Sequence, residues 1–107
     1  EARKDSTIAD YEKTIQQAFR EVADLLSARA SLAEQRQAVE AIVRAYQERL
    51  IVAEVRFKAG SASYLEVLDA QRELFLQQQA AVQIRRSQLS TAAQLYKALG
   101  GGDAPQA

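Results

Sequence analysis

A seven-residue repeat runs through the first half of the chain and limits what it can fold into. Ile8, Ile15, Val22, Arg29, Arg36, Val43, Leu50 and Phe57 hold one position of the repeat. Tyr11, Ala18, Leu25, Leu32, Val39, Tyr46 and Ala53, three residues further on, hold its companion. Only Arg29 and Arg36 interrupt the apolar pattern. A strand alternates with period two, so a repeat sustained over about seven heptads specifies a helix packed lengthwise against another. Such a helix, from about Asp5 to Lys58, would be roughly 80 Å long. Phe19, Leu26, Ala33, Ile42, Ile51, Val52 and Val55 lie outside the stripe, so the apolar face is wider than a two-stranded seam requires. Contact with neighbours on two sides would produce that width, and so would an ordinary helical bundle.

The repeat breaks at Ala59-Gly60-Ser61-Ala62-Ser63. Gly60 can adopt a left-handed conformation and end the first helix. Ser63 and Glu66 have the spacing of a reciprocal capping box, which predicts a second helix from about residue 63. A connection this short makes the two helices antiparallel. Leu68, Phe75, Val82, Leu89 and Tyr96 recur every seven residues along the second helix. Beside them runs a stripe of Val67, Leu74, Ala81 and Leu95, interrupted by Gln88. The helix should stop near Leu99, where Gly100, Gly101 and Gly102 begin a flexible tail that includes Pro105. The expected fold is therefore all-α: a long antiparallel coiled-coil hairpin with helices at about 5–58 and 63–99, a tip at 59–63 and a tail at 100–107. Folding back at the turn sets Ala53 opposite Leu68, Tyr46 opposite Phe75, Val39 opposite Val82, Leu32 opposite Leu89 and Leu25 opposite Tyr96. The second helix ends too early to cover Ile8, Tyr11, Ile15 and Phe19. That overhang predicts association with other copies or with a missing part of the same protein.

Few chemistries are open to this composition. Fourteen Lys and Arg balance 14 Asp and Glu among 107 residues. Nucleic-acid binding, which needs a basic excess, is disfavoured. With no His and no Cys, no phosphate-binding glycine loop and no strand to carry one, neither an enzyme, a metal site nor a cofactor is expected. Glu66, Asp69 and Glu73 share one helix face, but one helix cannot set an acid/base pair across a substrate. Their bland roles are helix capping for Glu66 and a favourable charge near a helix N-terminus for Asp69. Met is absent and the chain begins at Glu1, which predicts a fragment or a matured product. No apolar run approaches the roughly 18 to 20 residues of a membrane-spanning helix.

Three motifs carry a resemblance. Tyr11-Glu12-Lys13-Thr14-Ile15-Gln16-Gln17-Ala18-Phe19-Arg20-Glu21-Val22-Ala23-Asp24 resembles the start of the last long helix of TolC-family outer-membrane efflux channels, especially the lipoprotein-type, OprM-like members. Arg56-Phe57-Lys58-Ala59-Gly60 followed by Ser63-Tyr64-Leu65-Glu66-Val67-Leu68-Asp69-Ala70-Gln71-Arg72 resembles that family's periplasmic hairpin tip. Leu95-Tyr96-Lys97-Ala98-Leu99-Gly100-Gly101-Gly102 resembles its C-terminal signature. In order and spacing the three cover nearly the whole chain. The resemblance implies a periplasmic tunnel segment from a trimeric channel in the outer membrane of a Gram-negative cell. It implies partnership with a periplasmic adaptor and an inner-membrane pump, and export of drugs or other small solutes. It implies an acidic ring at Asp69, a second acidic position at Glu66 and an aromatic gate position at Phe57. That last position is usually Tyr, so the hydroxyl of a hydrogen-bonded latch is missing here. Ala62 stands where some relatives carry a basic residue, so a salt bridge from that position is ruled out. Ala59, Gly60, Ser61, Ala62 and Ser63 match the tip that meets the adaptor's own hairpin. Two alternatives share the coiled-coil pattern: the hairpin of a periplasmic adaptor and a purely structural scaffold.

Overall fold

The computed structural model describes residues 2–100, with side chains described from Lys4 onward. The expected tail from residue 101 lies outside the described residues. Two helices make up the fold: α1, Ala2–Lys58, and α2, Tyr64–Ala98. The helices start and stop within a few residues of the positions expected from the repeat and the glycines. Acidic residues open each helix (Asp5, Glu66) and basic ones close it (Arg56 and Lys58, Lys97), which suits the helix dipole. Gly60 and Gly100 both have positive φ, 81° and 87°, and each ends a helix. No glycine Cβ would clash at either site, so it is the backbone conformation that favours glycine there. The chain is thus the expected helical hairpin, and its packing divides into two units. One comprises Leu32–Gln88; the other joins Glu1–Ser31 to Leu89–Ala107.

In the unit that contains the turn, α1 and α2 run antiparallel. From α1 the seam takes Leu32, Val39, Val43, Tyr46, Leu50 and Ala53; from α2 it takes Val67, Ala70, Leu74, Gln77, Ala81, Ile84 and Gln88. The α2 positions alternate in steps of three and four, the spacing of a coiled-coil seam. Ala53, Val67 and Ala70 form its tightest cluster, with Leu50 packed against them.

This seam corrects the expected layers. The α1 stripe faces inward as the repeat required, but α2 turns its other stripe toward it. Val67 is 3 % exposed, while Leu68, Phe75, Val82, Leu89 and Tyr96 are 44 to 65 % exposed. The pairings of Ala53 with Leu68, Tyr46 with Phe75 and Val39 with Val82 therefore do not form the core. Small side chains explain the choice. Ala53, Ala70 and Ala81 let two backbones approach closely, and the bulkier stripe would hold them apart.

In the other unit, Val22, Leu25 and Ala28 of α1 and Thr91 and Leu95 of α2 are the shielded residues. The seam takes Ala28 where the repeat had Arg29. Leu99 lies with Ile15, Ala18, Phe19 and Val22 around a shallow recess of about 240 Å³. Every side chain from Lys4 to Glu21 is exposed, Tyr11 and Phe19 strongly so. The overhang is present as the helix lengths required.

Candidate functional site at the hairpin tip

The tip is built chiefly from main-chain hydrogen bonds. The Ser61 N–H donates to the Arg56 carbonyl at 2.9 Å, and the Gly60 N–H to the Phe57 carbonyl at 3.0 Å. Together with positive φ at Gly60, these bonds form a Schellman motif. The Ser61 hydroxyl adds a third bond, to the Arg56 carbonyl at 3.2 Å. At the start of α2 the Glu66 N–H donates to the Ser63 carbonyl at 3.1 Å. The reciprocal side-chain capping box does not form. Glu66 Oε2 instead accepts from Arg56 Nη1 at 3.3 Å, because the antiparallel return brings a full charge within reach.

Of the expected docking residues, Ala62 is half-buried; Ala59, Gly60, Ser61 and Ser63 are exposed. Phe57 packs against Tyr64 across the turn, ring centroids 5.1 Å apart at 58°. This tilted pair anchors the aromatic position to α2 without any hydroxyl on Phe57.

Glu66 and Asp69 are brought together, on one side of the hairpin. They share a shallow recess of about 220 Å³ with Arg49, Val52, Ala53, Arg56, Ala70 and Glu73. Arg49 Nη1 donates to Glu73 Oε2 at 3.4 Å and lies over the Tyr46 ring, 4.7 Å from its centroid. Asp69, between the two Arg–Glu pairs, has no hydrogen bond or ion pair among the described residues. Sequence reasoning singled out the carboxylates but missed both arginines. Their signal was available: Arg49 and Arg56 are one heptad apart, as are Glu66 and Glu73. The fold-back applied to apolar residues would have paired the charges too. Among the described residues no cluster of acidic side chains could hold a metal ion, and no helix is long and apolar enough to cross a membrane.

The described residues thus form an all-helical hairpin with a glycine-capped tip and an acidic side. The chain belongs to the outer membrane efflux protein family, whose sequence model matches residues 1–101. It is 52% identical over 100 residues to the toluene efflux pump outer membrane protein TtgC of Pseudomonas putida, covering 94% of this chain and 21% of that one. To the outer membrane protein OprJ of Pseudomonas aeruginosa it is 43% identical over 102 residues, covering 95% of this chain and 21% of OprJ. A crystal structure of CusC, described in terms of folding and transmembrane channel formation, superposes with a TM-score of 0.77 at 38% identity, covering 92% of this chain and 23% of that one. The chain thus spans about a fifth of the length of the curated relatives it matches. Family membership sets it apart from both the adaptor hairpin and the plain scaffold, and places it among transport proteins and not enzymes.

Proposed function

We propose that this hairpin is the periplasmic end of the helical tunnel of an outer-membrane efflux channel, with its gate and adaptor-docking surface at the turn. Phe57 and Asp69 line the constriction, and Glu66 stands behind them, paired with Arg56. Ala59, Gly60, Ser61, Ala62 and Ser63 meet the hairpin of a periplasmic adaptor, which couples the channel to an inner-membrane pump. Three copies surround the pore in the parent. Relatives named for toluene, solvent and antibiotic efflux make small apolar or amphipathic solutes the natural cargo class.

The observation that carries this reading is the tip itself. A free carboxylate, Asp69, stands beside an exposed turn of small residues in a chain of this family. Repeated around an axis, such carboxylates would concentrate negative charge and favour cations. Small residues at the turn let another backbone approach closely.

The test is made in the full-length parent. Asp69→Ala and Phe57→Ala should each raise the conductance of the resting channel in planar bilayers. Bulky substitution of Ser61 should weaken efflux while leaving that conductance unchanged. If Asp69→Ala and Phe57→Ala leave conductance and efflux at wild-type values, the gate is elsewhere.

A further inference from the structure

Two Arg–Glu pairs, one heptad apart, bracket a single unpaired carboxylate at the tip. We propose that Arg56 is a positioning residue that holds the half-exposed Glu66 carboxylate against α1, leaving Asp69 as the one carboxylate of this recess free to face a solute or a neighbouring copy. This inference rests on the gate reading above and divides the labour within it.

Arg56 uses the two arms of its guanidinium separately. Nη1 donates to Glu66 Oε2 at 3.3 Å, and Nη2 donates to the Ser61 carbonyl at 3.3 Å. The Arg56 carbonyl meanwhile accepts from both the N–H and the hydroxyl of Ser61. One residue therefore grips the turn through backbone and side chain, and ties it to the first turn of α2. A planar fork can do this, whereas a lysine ammonium is a compact point charge on a flexible stem. One heptad further from the tip, Arg49 donates to Glu73 through Nη1 alone and is itself seated on Tyr46.

Asp69 lies three residues after Glu66 and four before Glu73, on the same face of α2. Two guanidinium groups thus stand against three carboxylates around the recess, and the carboxylate left over is Asp69. Phe57 has no hydroxyl and Ala62 no charge, so neither can supply a polar latch at this turn. The Arg56 staple, with the Phe57–Tyr64 ring contact, is what fixes the turn to α2.

The experiment is a charge-swap cycle in the full-length channel, read as resting conductance and reversal potential in a salt gradient. Arg56→Glu and Glu66→Arg should each raise resting conductance about five-fold, the factor that corresponds to about 1 kcal/mol in a closed–open equilibrium. The double variant should return within about two-fold of wild type and keep the wild-type reversal potential, because the pair is restored with its polarity reversed. Arg56→Lys should fall between, keeping the ion pair without the second arm. A double variant as leaky as the singles, or one shifted toward anions, overturns the staple and makes Glu66 a pore-facing group. Singles that match wild type, while Asp69→Asn does not, overturn it and leave the gate standing. If Asp69→Asn also matches wild type, the gate reading falls and takes this one with it. Should the single variants fail to assemble, assembly regained in the double variant supports the staple, and assembly still absent overturns it.

Discussion

At the scale of single residues, the tip shows how little side chain is needed to define a sharp turn. Gly60 sits at φ 81° with open space where a Cβ would stand. Gly60→Ala therefore meets no clash, yet should destabilise the isolated hairpin by about 1 kcal/mol through the left-handed backbone alone. Thermal unfolding by circular dichroism would register this as a lower midpoint, and an unchanged midpoint would mean the turn relaxes. Glu66 shows where residue-level reading stops. The capping-box spacing was correct as a pattern, but its carboxylate is drawn to a guanidinium ten residues earlier in the chain. Local spacing cannot reveal a partner that only the fold-back supplies. The pair is half exposed on both sides, so by itself it contributes no more than about 1 kcal/mol. Its interest lies in where it holds Glu66.

The helices and their limits were legible, because a heptad repeat, two glycines and a short turn leave few arrangements. The face that α2 turns inward was not. Two apolar stripes run side by side on that helix, and the more regular and bulkier one is the outward one. Periodicity reports that a stripe will be covered, without reporting by what. The seam tolerates Gln77, Gln88 and Thr91, and uses alanines to bring the helices together. A direct comparison follows. Leu74→Ala, in the seam, should destabilise the hairpin by about 1 to 2 kcal/mol, less than for a fully buried leucine because Leu74 is half-buried. Leu89→Ala, on the outer stripe, should change it by less than about 0.5 kcal/mol. Chemical denaturation at low protein concentration measures both. Equal losses would restore the pairing expected from the sequence.

At the scale of the whole chain, apolar residues outnumber the places available to hide them. They make up 48% of the sequence, yet the buried hydrophobic residues among those described are Val39, Ala53, Val67, Ala70 and Leu95. Ile8, Tyr11, Ile15 and Phe19 on the overhang, and Leu68 to Tyr96 on the outer stripe of α2, remain open. The isolated chain should therefore self-associate. Its unfolding midpoint should rise with concentration, and sedimentation should give a mass above one chain. Phe19→Glu should weaken both effects without lowering the helicity of dilute samples, whereas a monomer at every concentration would remove the argument. The thin seam also bears on how the hairpin meets proteases. A hairpin with so small a core should open readily, and degradation of an open chain follows the population of that open form when closing outpaces cleavage. Covering the open apolar faces would then also shield the hairpin from proteases and slow its turnover.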